Sequence, residues 1–94
     1  MASIWKFPVS EESTVNYIEM PAGAKILTAQ RQGNGPVCIW SICDGNIPRV
    51  RRMIEVFGTG WNFENNSKRK HISTIQDDGG ALIWHIFDNG ELPL

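Results

Sequence analysis

Ninety-four residues, 41% of them apolar, and no apolar run near the ~20 residues of a membrane helix describe one small domain around one core. Nine lysines and arginines against ten acids give a net charge of −1, which excludes a dedicated binder of long nucleic acid, because such affinity rests on a strongly basic face. The start of the chain turns acidic at Glu11 and Glu12 and carries no basic and apolar leader, so the expected compartment is the cytoplasm, away from any membrane.

Apolar residues alternate with period two almost throughout, which predicts an all-β chain. Ser3 to Val9 puts Trp5, Phe7 and Val9 on one face, and Pro8 marks an edge or a strand end. In Thr14 to Met20, Val15 and Tyr17 share one face while Ile18 and Met20 share the other, before Pro21-Ala22-Gly23 breaks the chain. Ala24 to Cys43 reads as two apolar strands joined at Gln32-Gly33-Asn34-Gly35-Pro36, a turn whose glycines and asparagine accept positive φ. Cys38 and Cys43 lie on the returning strand ~16 Å apart if extended, beyond disulfide reach, and read as reduced core residues.

After the loop Asp44–Pro48, the strand from Arg49 to Phe57 places Val50, Ile54 and Val56 on one side and Arg49, Arg51, Met53 and Phe57 on the other. Arg52 then falls on the apolar side, from which it snorkels to water or reaches an anion. Gly58 to Lys70 is a long polar loop, and His71–Gln76 with Ala81–Asp88 forms a hairpin around Asp77-Asp78-Gly79-Gly80. Six to seven short strands at this spacing predict a small antiparallel sandwich or partly open barrel, one β-domain over residues 1–94. Trp40 and Trp84, mid-strand, are expected in the core; Trp5 and Trp61, near strand ends, are placed to meet an interface or a ligand.

Charge is uneven along the chain. Residues 1–24 carry −2 and residues 71–94 carry −4, whereas residues 25–70 carry +5 through Lys25, Arg31, Arg49, Arg51, Arg52, Lys68, Arg69 and Lys70. A basic centre of this kind pairs with an acidic part of the same or another subunit, or forms a local site for a small anion. Arginine suits the second role because its planar fork grips phosphate through two hydrogen bonds. Gly58-Thr59-Gly60 is either a tight turn leaving the sheet or a backbone nest that admits a ligand, since no following helix is predicted to complete a phosphate loop. Trp61 beside it offers an indole on which a base stacks, or a core or subunit contact.

Catalytic patterns are missing. His71 and His85 stand in no metal-ligand spacing with Cys38 or Cys43, there is no nucleophile elbow, and the carboxylate pairs Glu11-Glu12 and Asp77-Asp78 sit in polar turns. The expectation is a binding protein without catalytic residues, metal or cofactor.

The stretches "MPAGAKILTAQRQGNGPVCIWSI", "FGTGW" and "GGALIWHIFDNG" resemble a family of small phage and prophage proteins, over most of the chain from Ile18 to Phe87. That family is similar in its Met-Pro-x-Gly-Ala turn, its Leu-Trp in the returning strand, its Gly-Thr-Gly followed by His-Pro, and its closing Gly-x-Leu-Val-Trp-His-Val-Phe. Gly58, Thr59, Gly60, Trp84 and His85 match, while Trp61-Asn62 stands in place of His-Pro, so no role of a loop histidine carries over. The resemblance implies a phage protein in the host bacterial cytoplasm that acts by binding, compatible with a viral sponge for cyclic nucleotides. The first expectation is therefore a homo-oligomer that sequesters a small anionic nucleotide, such as a cyclic dinucleotide immune signal, without cleaving it. Its site would comprise Arg49, Arg51, Arg52, Gly58, Thr59, Gly60, Trp61, Lys68 and Arg69. The alternative is an inhibitor of a host protein acting through an exposed β-edge or aromatic patch.

Overall fold

A computed structural model describes all 94 residues. The alternating pattern resolves into seven strands: β1 (Ala2–Val9), β2 (Val15–Pro21), β3 (Lys25–Arg31), β4 (Val37–Asp44), β5 (Arg49–Gly58), β6 (Lys70–Asp77) and β7 (Leu82–Leu92). The only helical turn is a single 3₁₀ turn at Asp78–Gly80, and no helix is long and apolar enough to cross a membrane. All pairings are antiparallel and form two sheets, β1-β4-β3 and β2-β5-β7-β6, packed as a sandwich rather than closed into a barrel.

Two links are hairpins within a sheet. β3 returns into β4 through a turn in which Gly35 N–H donates to Gln32 O (2.8 Å), Gln32 N–H donates to Pro36 O (3.1 Å) and Gly33 takes a positive φ. β6 returns into β7 through Asp78, Gly79 and Gly80, all three left-handed, a run that two glycines and an aspartate tolerate where bulkier residues would clash. The other early links carry the chain from one sheet to the other. Between β2 and β3 the crossing is made at Pro21 to Ala24, where Gly23 has φ +74° and Ala24 N–H donates to Pro21 O.

The core lies between the sheets. Val9, Ala29, Val37 and Ile39 from the smaller sheet meet Ile54, Val56, Ile75 and Ile86 from the larger, and a second cluster joins Met20, Ala24 and Cys43 under Trp5 and Phe7. Each branched side chain removed from water here contributes roughly 1.5–3 kcal/mol. The predicted faces of β5 hold: Ile54 and Val56 are buried inward, and Arg52 shares their side. Cys38 and Cys43 are buried free thiols, as expected, and burial raises the Cys43 thiol above the ordinary cysteine range. Trp40 departs from expectation. In β4 the alternation puts Val37, Ile39, Ser41 and Cys43 inward, so Trp40, opposite Lys6 and Thr28, lies half-buried on the outer face of the smaller sheet. Trp84 does pack against the core.

The sandwich has an open seam on its β3–β6 side. β3 and β6 are edge strands of different sheets that run beside each other without a shared ladder. Side chains join them: Ser73 Oγ accepts from Ala29 N–H (2.9 Å) and lies 3.3 Å from Thr28 Oγ1, and at the other end of the two strands Arg31 Nε donates to Asp77 (2.9 Å).

Candidate functional site

The nine residues predicted to hold a ligand do not converge. β5 is extended, so Arg52 and Gly58 stand ~20 Å apart along one strand. At its start the three arginines take three different partners. Arg49 lies over the Trp5 ring at 5.7 Å, and Arg51 lies over Tyr17 at 5.3 Å with its Nε donating to Pro93 O (3.3 Å). Arg52 is buried; Nη1 donates to Asp88 (2.9 Å), Nη2 donates to Ala24 O (2.8 Å), and Glu91 lies 3.6 Å away.

Lys68 and Arg69 diverge as well. Lys68 is exposed and lies across Gly90. Arg69 turns inward: Nε and Nη2 grip the buried Glu55 carboxylate (2.7 and 3.1 Å), Nη1 donates to Glu64 O (3.0 Å), and the guanidinium stacks on Phe57 and Phe63. That bidentate hydrogen bond raises the Arg69 pKa. The Gly58–Arg69 loop is thus folded over the outer face of the larger sheet, with Phe63 stacked on Phe57 at 4.3 Å, and Arg69 fastens that cover.

Gly58-Thr59-Gly60-Trp61 is a chain reversal. Trp61 N–H donates to Gly58 O (3.1 Å) and Gly60 has φ +87°, the conformation a type II turn requires of its third residue. Gly58 serves a steric need, because a Cβ there would fall 2.7 Å from Trp61 Cε2 and 2.8 Å from Nε1. The indole lies against the glycine backbone and meets Trp84 edge to face at 5.9 Å and 80°. Together with Thr59, Ala81, Leu82 and Ile83 these residues line an apolar cleft of about 210 Å³ that no cation enters.

From Thr59 a polar chain crosses the sheet. Thr59 Oγ1 lies 2.7 Å from His85 Nε2, His85 Nδ1 lies 3.1 Å from Thr74 Oγ1, and Thr74 Oγ1 lies 2.9 Å from His71 Nε2. Both nitrogens of His85 are therefore held by hydroxyls. Asp77 of the turn carboxylates is likewise committed: it accepts from Arg31 Nε (2.9 Å) and Nη2 and from Trp84 Nε1 (3.1 Å), and its pKa is lowered chiefly by the Arg31 hydrogen bonds. Glu11 shares the same guanidinium.

A cationic cleft does exist, on the open seam at the Arg52 end. It measures about 450 Å³ and is lined by Gly23, Ala24, Lys25, Ile26, Leu27, Arg52, Lys70, His71, Ile72 and Asp88. Lys25 of β3, Arg52 of β5 and Lys70 of β6 line it with one acid, Asp88, and Glu91 stands behind the wall, accepting from Gly23 N–H (2.9 Å) and pairing with Arg52. Three register shifts surround it. Leu27 is an extra residue in β3 and Ile72 an extra residue in β6, both on the cleft wall; Asn89 and Gly90 of β7 oppose the single Met53 of β5, with Gly90 at φ +92°. Bulges bend strands and re-aim side chains, and here they open the two edges around Arg52. Two buried polar atoms without a partner, Arg52 Nε and Asn89 Oδ1, sit at the β5–β7 shift.

A family model described as a domain of unknown function, DUF7352, matches residues 1–92. The chain belongs to the DUF7352 family. No curated protein and no solved structure matches it.

In this DUF7352 domain, then, the seam cleft keeps one predicted residue, Arg52, and adds Lys25 and Lys70, two lysines of the basic centre outside the predicted site. The Trp61 cleft keeps Gly58, Thr59 and Trp61 and adds the hairpin residues Ala81, Leu82 and Trp84. Arg49, Arg51, Gly60, Lys68 and Arg69 line neither.

Proposed function

We propose that the protein binds a small phosphate-bearing ligand of nucleotide size in the seam cleft and holds it without chemical change. The observation that carries this reading is the convergence of Lys25, Arg52 and Lys70, from three strands, on a cleft with a single lining acid. Its volume falls within the range that small-molecule sites occupy, and Ile26, Leu27 and Ile72 give it apolar wall for a base or sugar. Arg52, ion-paired with Asp88 and Glu91, is a fixed group of the cleft wall, and the surplus positive charge comes from the exposed Lys25 and Lys70, which close on the anion. In a phage setting such binding withholds a signal nucleotide from its receptor, and a homo-oligomer would present several such clefts at once.

The test uses melting temperature against cyclic di- and trinucleotides, linear nucleotides and inorganic phosphate. One nucleotide should raise it by several degrees where phosphate does not, by preferential binding to the folded state. Lys25→Ala and Lys70→Ala, both at exposed side chains, should each weaken that ligand about tenfold, the loss expected for one charge-assisted contact. The ligand should be recovered unaltered by chromatography. Affinity untouched by both substitutions, or a product accumulating with turnover, would reject the reading.

A further inference from the structure

At the far end of the sandwich from the cationic cleft, two depressions meet at Leu82. The first is the apolar cleft of about 210 Å³ between Gly58, Trp61, Ala81, Leu82 and Trp84; the second is a polar one whose wall includes Arg31, Asp77, Asp78 and again Leu82. Trp84 belongs to the first and donates its indole N–H to Asp77 of the second, so the two are in register. Trp61 is 51% exposed and Leu82 45%, two large apolar surfaces turned to water in one concavity. The first cleft is smaller than the ~300–1,000 Å³ of ordinary ligand sites and suits one inserted side chain. The electrostatics beside it are one-sided. Arg31 is shared by Glu11 and Asp77, which leaves the exposed Asp78 carboxylate, in no ion pair, as surplus negative charge on the rim. Asp78 is the one non-glycine residue at positive φ, in a turn of three successive left-handed residues.

We propose that the Trp61–Leu82 cleft and its acidic rim dock an extended segment of a partner protein that presents one aromatic or branched apolar side chain with a lysine or arginine beside it. The apolar residue enters between Trp61, Leu82 and Trp84 as the anchor, in the manner of interface hot spots, and the cation lies along the rim toward Asp78. An acidic neighbour is disfavoured by Asp78 and the Glu11–Asp77 pair behind it.

The probes are two synthetic peptides, acetyl-Gly-Gly-Phe-Lys-Gly-Gly-amide and its Phe-Glu counterpart, titrated into the full ¹⁵N-labelled chain. Amide shifts should cluster in Gly58–Trp61 and Asp77–Trp84. The Phe-Lys peptide should bind at least about tenfold more tightly than Phe-Glu at low salt, and the ratio should shrink as salt screens the rim. Leu82→Glu should abolish binding of both peptides. Asp78→Asn, in which asparagine keeps the left-handed turn, should bring the two affinities together while leaving the rest of the spectrum unchanged. Equal binding of the two peptides, shifts confined to other surfaces, or a preference for lysine that survives Asp78→Asn would overturn the proposal. So would shifts of the same amides on dilution of the protein alone, which would assign the cleft to a second copy of the chain.

Discussion

Gly58→Ala isolates the contact on which the Gly58–Trp61 reversal depends. Gly58 is buried and its φ lies outside the left-handed range, so the backbone itself accepts alanine. What does not accept it is the indole, 2.7–2.8 Å from the new methyl group at two ring atoms, closer than side-chain carbons approach one another. Trp61 must move, and the loss is bounded by what it buries. A tryptophan half removed from water covers about 75–125 Å² of apolar surface, or about 2–3 kcal/mol at ~25 cal/mol per Å², and its edge-to-face contact with Trp84 adds about 1 kcal/mol. A displaced ring keeps part of both, so Gly58→Ala should cost about 2 kcal/mol and lower the melting temperature of a domain this size by roughly 8–16 °C. The decisive assay is a double-mutant cycle by chemical denaturation. With Trp61→Ala already in place, Gly58→Ala should cost less than ~0.5 kcal/mol or stabilise slightly, since alanine restricts the unfolded chain. An equal penalty in both backgrounds would refute the assignment and point to the strand backbone instead.

Asp77 has its pKa depressed by Arg31, so its contribution is complete above the ordinary carboxylate range near pH 4 and disappears as pH falls through the lower folded value; Asp77→Asn should flatten the acid limb of stability against pH, read from urea midpoints. Arg69→Met should leave Glu55 buried and unpaired and cost about 3 kcal/mol, with faster hydrogen exchange across Phe63 to Lys68 as the cover loosens. Gly90→Ala meets both a φ of +92° and Lys68 Cε at 2.7 Å; it should destabilise by about 1–3 kcal/mol, and Lys68→Ala should recover the steric part but not the strain.

Much of this was legible in the sequence because strands announce themselves locally. Period-two alternation over Ser3–Val9 and Arg49–Phe57 gives both the strand and the face each residue takes, and the glycine-rich turns at Gln32–Pro36 and Asp77–Gly80 give both hairpins. Between Gly58, which ends β5, and Lys70, which opens β6, the polar loop carries no strand, as its composition predicts, yet nothing in that composition says that Phe63 and Arg69 fold back onto Phe57 and Glu55. The fate of Arg52 was hidden for the same reason: its partners Asp88 and Glu91 lie 36 and 39 residues further on, and only the β5–β7 pairing brings them near. Trp40 shows the limit of reading faces from hydrophobicity, since in β4 both faces are apolar and alternation alone does not say which one is covered. Lys25 and Lys70 converge through bulges, and a bulge is a property of pairing between strands that no single stretch of chain displays.

The Ser73 bridge has a mechanical consequence. Neighbours within each sheet are joined by ladders of backbone hydrogen bonds, whereas β3 and β6 meet through side chains, Ser73 in the middle and the Arg31–Asp77 ion pair at the end away from the cationic cleft. The seam is therefore the line along which the domain should breathe, its flanking amides exchanging at low opening energy while β4, β5 and β7 stay protected. Edges that parted at the end away from the Arg31–Asp77 clamp would widen the cationic cleft, and anything lodged there would knit the halves together and slow that motion.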